Sequence, residues 1–182
     1  MMHALVVGGT GMLSDVSLWL SNHDYHVSVI AQNKQKMENL MAKSRNKSRL
    51  SPVLVDYHED EKLKEKLLEI SKNHGKIQLV VAWIHSDANH AFSIISQVIA
   101  ETADHWHMFH ILGSSANLNE LKQELHVADN CSYHQVQLGF IRYQNQSRWL
   151  THTEICNGVI DAIKRGDPTY TIGMTEPWEL RP

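Results

Sequence analysis

His3-Ala4-Leu5-Val6-Val7-Gly8-Gly9-Thr10-Gly11-Met12-Leu13-Ser14, continuing as Asp15-Val16-Ser17-Leu18-Trp19-Leu20, is the stretch that decides the fold. Ala4 to Val7 is a short apolar run suited to a strand buried on both faces, and it stops at Gly8-Gly9-Thr10-Gly11 before a helical pattern begins. A tight turn out of a parallel strand favours glycine, and an anion approaching the backbone needs positions without side chains. The amides at the N-terminus of the next helix then face that anion, with the helix dipole behind them. Gly8 and Gly11 supply the turn and the close approach. Ser14 stands where a third glycine often lets helix and strand pack, and it is small enough to serve nearly as well. Strand, glycine turn and helix in this order point to a dinucleotide diphosphate held by Gly8, Gly9, Thr10, Gly11 and Met12. The plainer alternative is a turn that binds nothing.

The rest of the chain fits such a start. At 182 residues it is long enough for one domain, 1–182, with a full core, and short for two. Its 17 basic and 20 acidic residues leave a net charge of -3, so no positive field argues for nucleic acid and no basic run for a membrane surface. Cys131 and Cys156 are too few for a disulfide framework, and the first residues run straight into a core strand without a signal-peptide pattern. A cytoplasmic protein working on small molecules is the expectation. No apolar stretch approaches the roughly 20 residues of a spanning helix.

Helix and strand patterns alternate to the end. Helical spacing over 12–21 precedes a Val- and Ile-rich strand over 26–31, then a short helix over 36–43 and a polar, mobile connection over 44–49. A third strand spans 52–56, followed by an amphipathic helix over 59–72 with a pair such as Asp60 and Lys64 on its solvated face. The most apolar strand, 77–84, belongs in the centre beside the first, and the helix over 87–103 is broad enough to cover the sheet and also meet a second copy. A fifth strand (106–112), a modest helix (117–127), a sixth strand (133–143), a helix opened by the Thr151 and Glu154 capping box and a short strand over 170–173 complete the pattern. The tail from Met174 to Pro182 either folds over the site or lies on the surface. The fold class is α/β: a Rossmann-type, doubly wound, mainly parallel seven-stranded sheet with helices on both faces.

Cofactor choice is read at the end of the second strand. An acid there accepts ribose hydroxyls of NAD, whereas a basic residue accommodates the extra phosphate of NADP. Gln32-Asn33-Lys34 contains no acid, so Asn33 and Lys34 favour NADP, with NAD as second choice. Lys34 is equally readable as an ordinary solvated lysine. Asp56 is placed to accept from an adenine amine or, alternatively, to cap a turn. Ala82, Trp83, Ile84 and His85, at the end of the central strand, edge the nicotinamide side of the crevice. His85, whose imidazole is the side chain type suited to proton transfer near neutral pH, could move protons there.

The strand and helix order, the Gly8-Gly9-Thr10-Gly11 turn and Ser114-Ser115 ending the fifth strand together resemble a short-chain dehydrogenase/reductase over nearly the whole chain. The resemblance implies an NAD(P)-dependent oxidoreductase, with Ser114 or Ser115 holding the substrate oxygen. It also makes Leu138-Gly139-Phe140-Ile141 the counterpart of a loop that touches the nicotinamide amide, with Leu138 in place of its proline. That family's chemistry uses a Tyr and a Lys four residues on as the proton donor and its tuner. Here Ala116 to Ser132 contains no tyrosine, and Tyr133 is followed by Gln137, on a strand. Two readings therefore stand: an oxidoreductase in which His85, Ser114 or Ser115 handles the oxygen, or a non-catalytic dinucleotide-binding sensor.

Among 13 histidines, His105, His107 and His110 cluster, but strand alternation sends His110 to the opposite face from the other two, so no metal site is expected.

Overall fold

The computed structural model describes residues 1–182, Asn89 by its backbone alone. In chain order the elements are β1 (Met2–Val7), α1 (Ser14–Asn22), β2 (Tyr25–Ala31), α2 (Lys34–Lys43), β3 (Leu50–Leu54), α3 (Asp60–His74), β4 (Ile77–Trp83) and α4 (Asn89–Thr102). They continue as β5 (Trp106–Leu112), α5 (Leu118–Glu124), β6 (Cys131–Leu138), β7 (Phe140–Tyr143), β8 (Gln146–Trp149), α6 (His152–Arg165) and β9 (Thr169–Ile172). The main sheet has the order β3-β2-β1-β4-β5-β6-β9, and every neighbouring pair is parallel. This is the doubly wound arrangement expected from the alternation of patterns. The order reverses between β1 and β4, which opens a crevice at the carboxyl ends of those strands.

Strand alternation divides the core. Ala4 and Val6 of β1 join Val27, Val29, Val81 and Phe109 under α1, α2 and α6, whereas Leu5 and Val7 join Ile30, Val80 and Met108 under α3 and α4. Both faces of β1 are thus dry, which is why its sequence reads as an uninterrupted apolar run. α6 opens with the expected capping box, in which the Thr151 hydroxyl accepts from the Glu154 N–H and the Glu154 carboxylate from the Thr151 N–H. Arg148 adds a bidentate pair to the same carboxylate at 2.9 Å, which together with the Thr151 N–H holds Glu154 well below the usual carboxylate range, at about 2.

Two expectations are overturned. The strand expected over 133–143 breaks at Gly139, and Phe140 onward forms an antiparallel hairpin of β7 with β8. The cause is a change of partner: Gly139 donates to Ile172 O, but Phe140 and Met174 exchange backbone bonds at 2.8 and 2.9 Å, which turns the chain out of the sheet. The 44–49 connection carries a 3-10 turn, with Asn46 bonded to Asn22 at 2.9 Å and Arg49 to Asp24 at 3.2 Å. On α3 the close pairs among the described residues are Lys62 with Glu59 and Lys66 with Glu69, not Asp60 with Lys64. Spacing alone allowed both sets.

Gly9 shows how tightly the turn is packed. A Cβ there would lie 2.6 Å from Ser17 Oγ and 2.8 Å from the Cγ1 atoms of Val29 and Val6. Ser17, whose hydroxyl donates to Gly9 O at 3.2 Å, cannot retreat without losing that bond. Gly9→Ala is expected to cost about 1–3 kcal/mol, as overpacked cores do, read as a lower midpoint in urea with an unchanged slope.

Candidate functional site

Gly8 leaves β1 with φ +78°, a conformation glycine adopts without strain, and donates to Ile30 O at 3.1 Å. Gly11 donates back to Gly8 O at 3.4 Å, and Ser14 to Gly11 O at 3.0 Å, so the chain folds sharply before α1 starts. Nothing lies within 4 Å of the place a Gly11 Cβ would take. The N-cap residue of α1, Leu13, makes no side-chain cap bond, and the N–H groups of Thr10 and Met12 have no partner among the described residues. An open, side-chain-free turn with uncommitted amides at a helix N-terminus suits a diphosphate. Asp15, exposed in the first turn of α1, carries the wrong sign for that ligand. The buried Cys156 thiol of α6 donates to Met12 O at 2.8 Å and ties that loop to α6.

At the end of β2 the structure separates the expected residues. Asn33 caps α2, accepting from Lys36 N at 2.9 Å, so its side-chain oxygen is already engaged. Lys34 is well exposed, 3.9 Å from Glu38. Asp56 lies beyond the end of β3, where Oδ1 accepts from Gln32 Nε2 at 2.7 Å and from the His58 N–H and ring at 2.9 and 2.7 Å. Those His58 bonds hold its pKa below the usual carboxylate value. The turn-capping role foreseen for Asp56 is thus realised. His58 also approaches Asp87 at 3.6 Å, which joins this corner to the 3-10 turn Ser86–Ala88.

Trp83 divides the crevice. Ala82 is fully buried in β4, while Trp83 and Ile84 are half-buried at its end. A Cβ on Gly8 would sit 3.9 Å from Trp83 Cδ1, so the indole borders the glycine turn. On one side lies a cavity of about 450 Å³ that brings together His85, Ser115 and His110 with the apolar Ile84 and Ile111. On the other, a smaller cavity of about 220 Å³ contains Ser114, Gly113 and Gly139 beside Trp149 and Leu150 of the hairpin and its exit. Ser114 and Ser115 therefore face different cavities. Phe140 is fully buried with its backbone committed to Met174, and it contacts neither cavity. The tail is anchored beside the site: Arg181 lies 3.2 Å above the Trp178 ring and donates to Ser114 O at 2.7 Å.

His110, weighed from sequence only as one of three clustered histidines and not as a residue of the crevice, lines the larger cavity. It is 6% exposed, stacks near Phe92 with ring centroids 5.0 Å apart, and its Nδ1 is 2.9 Å from the Tyr133 hydroxyl. Strand alternation did place it on the opposite face from His105 and His107, and the structure agrees: those two lie 5.2 Å apart, and His107 stacks on His134. Among the described residues no three His, Cys, Asp or Glu side chains form a group able to hold a metal ion. Among the described residues no helix is long and apolar enough to cross a membrane.

The structure of an Aeromonas hydrophila oxidoreductase assigned to the short-chain dehydrogenase/reductase family superposes with a TM-score of 0.68 at 13% identity, over 95% of this chain and 96% of that one. The fold is that of the short-chain dehydrogenases/reductases. An actinorhodin polyketide ketoreductase variant solved with NADPH gives a TM-score of 0.72 at 10% identity, covering 94% of this chain and 95% of its own. The bulky-bulky ketone specific alcohol dehydrogenase of Comamonas testosteroni gives 0.72 at 11% identity, with 96% and 87% covered. No protein-family model and no curated protein matches the sequence. At these identities the likeness is one of fold, and the chemistry has to be argued from the site.

Proposed function

We propose that this chain binds a nicotinamide dinucleotide at Gly8–Met12 and acts as an NAD(P)-dependent oxidoreductase on a small carbonyl or hydroxyl compound. One observation carries the reading: a glycine turn with φ +78° at Gly8, open space at Gly11 and uncapped amides before α1. A turn that served packing alone would have no use for the open face at Gly11, since Gly9 already provides the close contact. The exposed Lys34 and the absence of an acid at the end of β2 favour NADP over NAD. Asp15 opposes the phosphates, so affinity in the micromolar range is expected. When bound, the nicotinamide supplies or takes the hydride. The chain's own residues, His85 and Ser115 in the larger cavity and Ser114 in the smaller, orient the reacting oxygen and exclude water. The two unpaired cysteines suit a reducing, cytoplasmic setting.

A second reading, a non-catalytic sensor of the dinucleotide, is favoured by one observation. The segment Ala116–Ser132 has no tyrosine, and Tyr133 sits on β6 with its hydroxyl turned to His110, so no helical Tyr and Lys pair exists there.

The test is a titration with NADPH, followed through tryptophan emission and assigned with Trp83→Phe. Gly11→Asp is expected to raise Kd at least 10-fold without lowering the melting temperature, because the new carboxylate enters free space and repels phosphate. Unchanged binding in that variant overturns the placement. NADPH oxidation with aldehydes, ketones or quinones that falls on Ser115→Ala supports the enzyme, and binding without turnover on any of them supports the sensor.

A further inference from the structure

The β5–β6 face of the sheet is thinly covered. α5 has seven residues and no buried side chain, so the larger cavity reaches down to the strand, and His110 forms part of its wall. A nearly buried imidazole normally has both nitrogens satisfied. Here Nδ1 is bonded to the Tyr133 hydroxyl, whereas Nε2 has no partner among the described residues.

The tautomer follows from the neighbours. Burial pushes the Tyr133 pKa up to about 12, while the Gln135 side chain beside the hydroxyl pulls it down, so the phenol keeps its proton at neutral pH. The Gln135 amide is itself fixed, donating to Leu118 O at 2.9 Å. His110 Nδ1 is the hydrogen-bond partner of the Tyr133 hydroxyl among the described residues, so the Tyr133 O–H donates to it. Burial holds the imidazole neutral, at about 4, so its one proton resides on Nε2, the nitrogen left for the cavity.

We propose that the His110 Nε2–H is the hydrogen-bond donor for the oxygen of a neutral, largely apolar carbonyl ligand held in the cavity at the ends of β4 and β5, with Tyr133 as the positioning residue that fixes its tautomer. The walls select that class. Trp83, Ile84 and Leu112 supply apolar surface, and Glu120 and Glu124 on α5 line the same cavity and repel anions. A volume of about 450 Å³ accommodates a one- or two-ring ketone, aldehyde or quinone. The inference rests on the oxidoreductase reading above and gives it the donor that the missing helical tyrosine leaves open.

The experiment compares acetophenone with ethylbenzene, which has the same apolar body but no acceptor. Binding is followed by ligand-detected NMR with and without NADPH. The native chain is expected to prefer acetophenone at least 10-fold. His110→Phe should abolish the preference while retaining ethylbenzene binding and the NADPH titration. Tyr133→Phe should reduce the preference without removing it. ¹⁵N shifts of the His110 ring in the native protein provide a check that needs no variant, and the Nε2–H form is expected. A preference that survives in His110→Phe, or a ring protonated at Nδ1, overturns the proposal. NADPH binding with no acetophenone preference also overturns it and leaves the dinucleotide site standing. Loss of NADPH binding in the native chain instead removes the oxidoreductase reading.

Discussion

Lowering the pH from 7 to 5 is expected to remove about 4 kcal/mol of folding stability, because two histidines buried in neutral form stay unprotonated in the folded chain while the unfolded chain binds both protons. His3 stands at the start of β1, where Nδ1–H donates to Gly75 O at 2.8 Å and Nε2 accepts from Ser28 Oγ at 2.9 Å. Protonation would place a second N–H against a hydroxyl that now donates. Burial first, and then the neighbouring His26 and His74, lower its pKa to about 4 against the bond to Gly75. His110, at the other end of the sheet, is lowered to about 4 by burial alone.

The direction follows from proton uptake. Both folded values lie below the unfolded value of 6.5, so the unfolded state holds more protons between pH 6.5 and 4. The stabilisation is complete above pH 6.5 and is lost on acidification. Each group contributes about 1.4 kcal/mol per pH unit in that window. Burial also lowers His26 and His107, which act in the same sense, whereas Asp56 raises the exposed His58, which opposes them. Urea unfolding at pH 7, 6 and 5 measures the effect. In His3→Gln the slope with pH should fall by about one proton, a change that a lost packing contact would not produce. Stability that is flat from pH 7 to 5 contradicts the buried, neutral assignment.

These two histidines also mark where sequence stops being informative. Alternation along Trp106–Leu112 was enough to place His110 on a different face from His107, but not to say that Tyr133 would stand beside it. The β5–β6 register sets His110 opposite Gln135 and Met108 opposite Tyr133, so the His110–Tyr133 contact runs diagonally, and the helix and two loops between β5 and β6 have lengths that do not fix that register. His3 lies in a strand whose apolar run was legible, yet its partners Gly75 and Ser28 come from other elements. The glycine turn was legible because its requirements are local: a positive φ at Gly8 and no side chain at Gly11 follow from residues adjacent in the chain. Asn33 illustrates the opposite case. Its N-cap bond to Lys36 is also local, but a ligand contact and a cap draw on the same residue type, and composition does not separate them.

Gly139→Ala is expected to lower stability by about 3 kcal/mol or more, the upper range for overpacking, because the atoms in the way are backbone. A Cβ at Gly139 would overlap Met174 O and approach Met174 C and N at 2.6 and 2.9 Å. A flexible side chain could swing aside, but Met174 is held by paired bonds to Phe140 at 2.8 and 2.9 Å. Relief therefore requires those bonds and the Gly139 N–H to Ile172 O bond to lengthen together, which pulls β9 from β6 and the hairpin from the sheet. For a chain of this length a loss of that size is a melting temperature lower by about 6–12 °C. Gly113→Ala is the matched control, since nothing lies within 4 Å of its Cβ position, and its melting temperature should be unchanged. The two variants also separate stability from function. Gly113 and Gly139 line the same 220 Å³ cavity, but only at Gly139 does an added methyl group meet backbone that has to move. If Gly139→Ala melts with the native chain, the close pairing of Gly139 with Met174, and with it the way the hairpin is set over the crevice, is wrong.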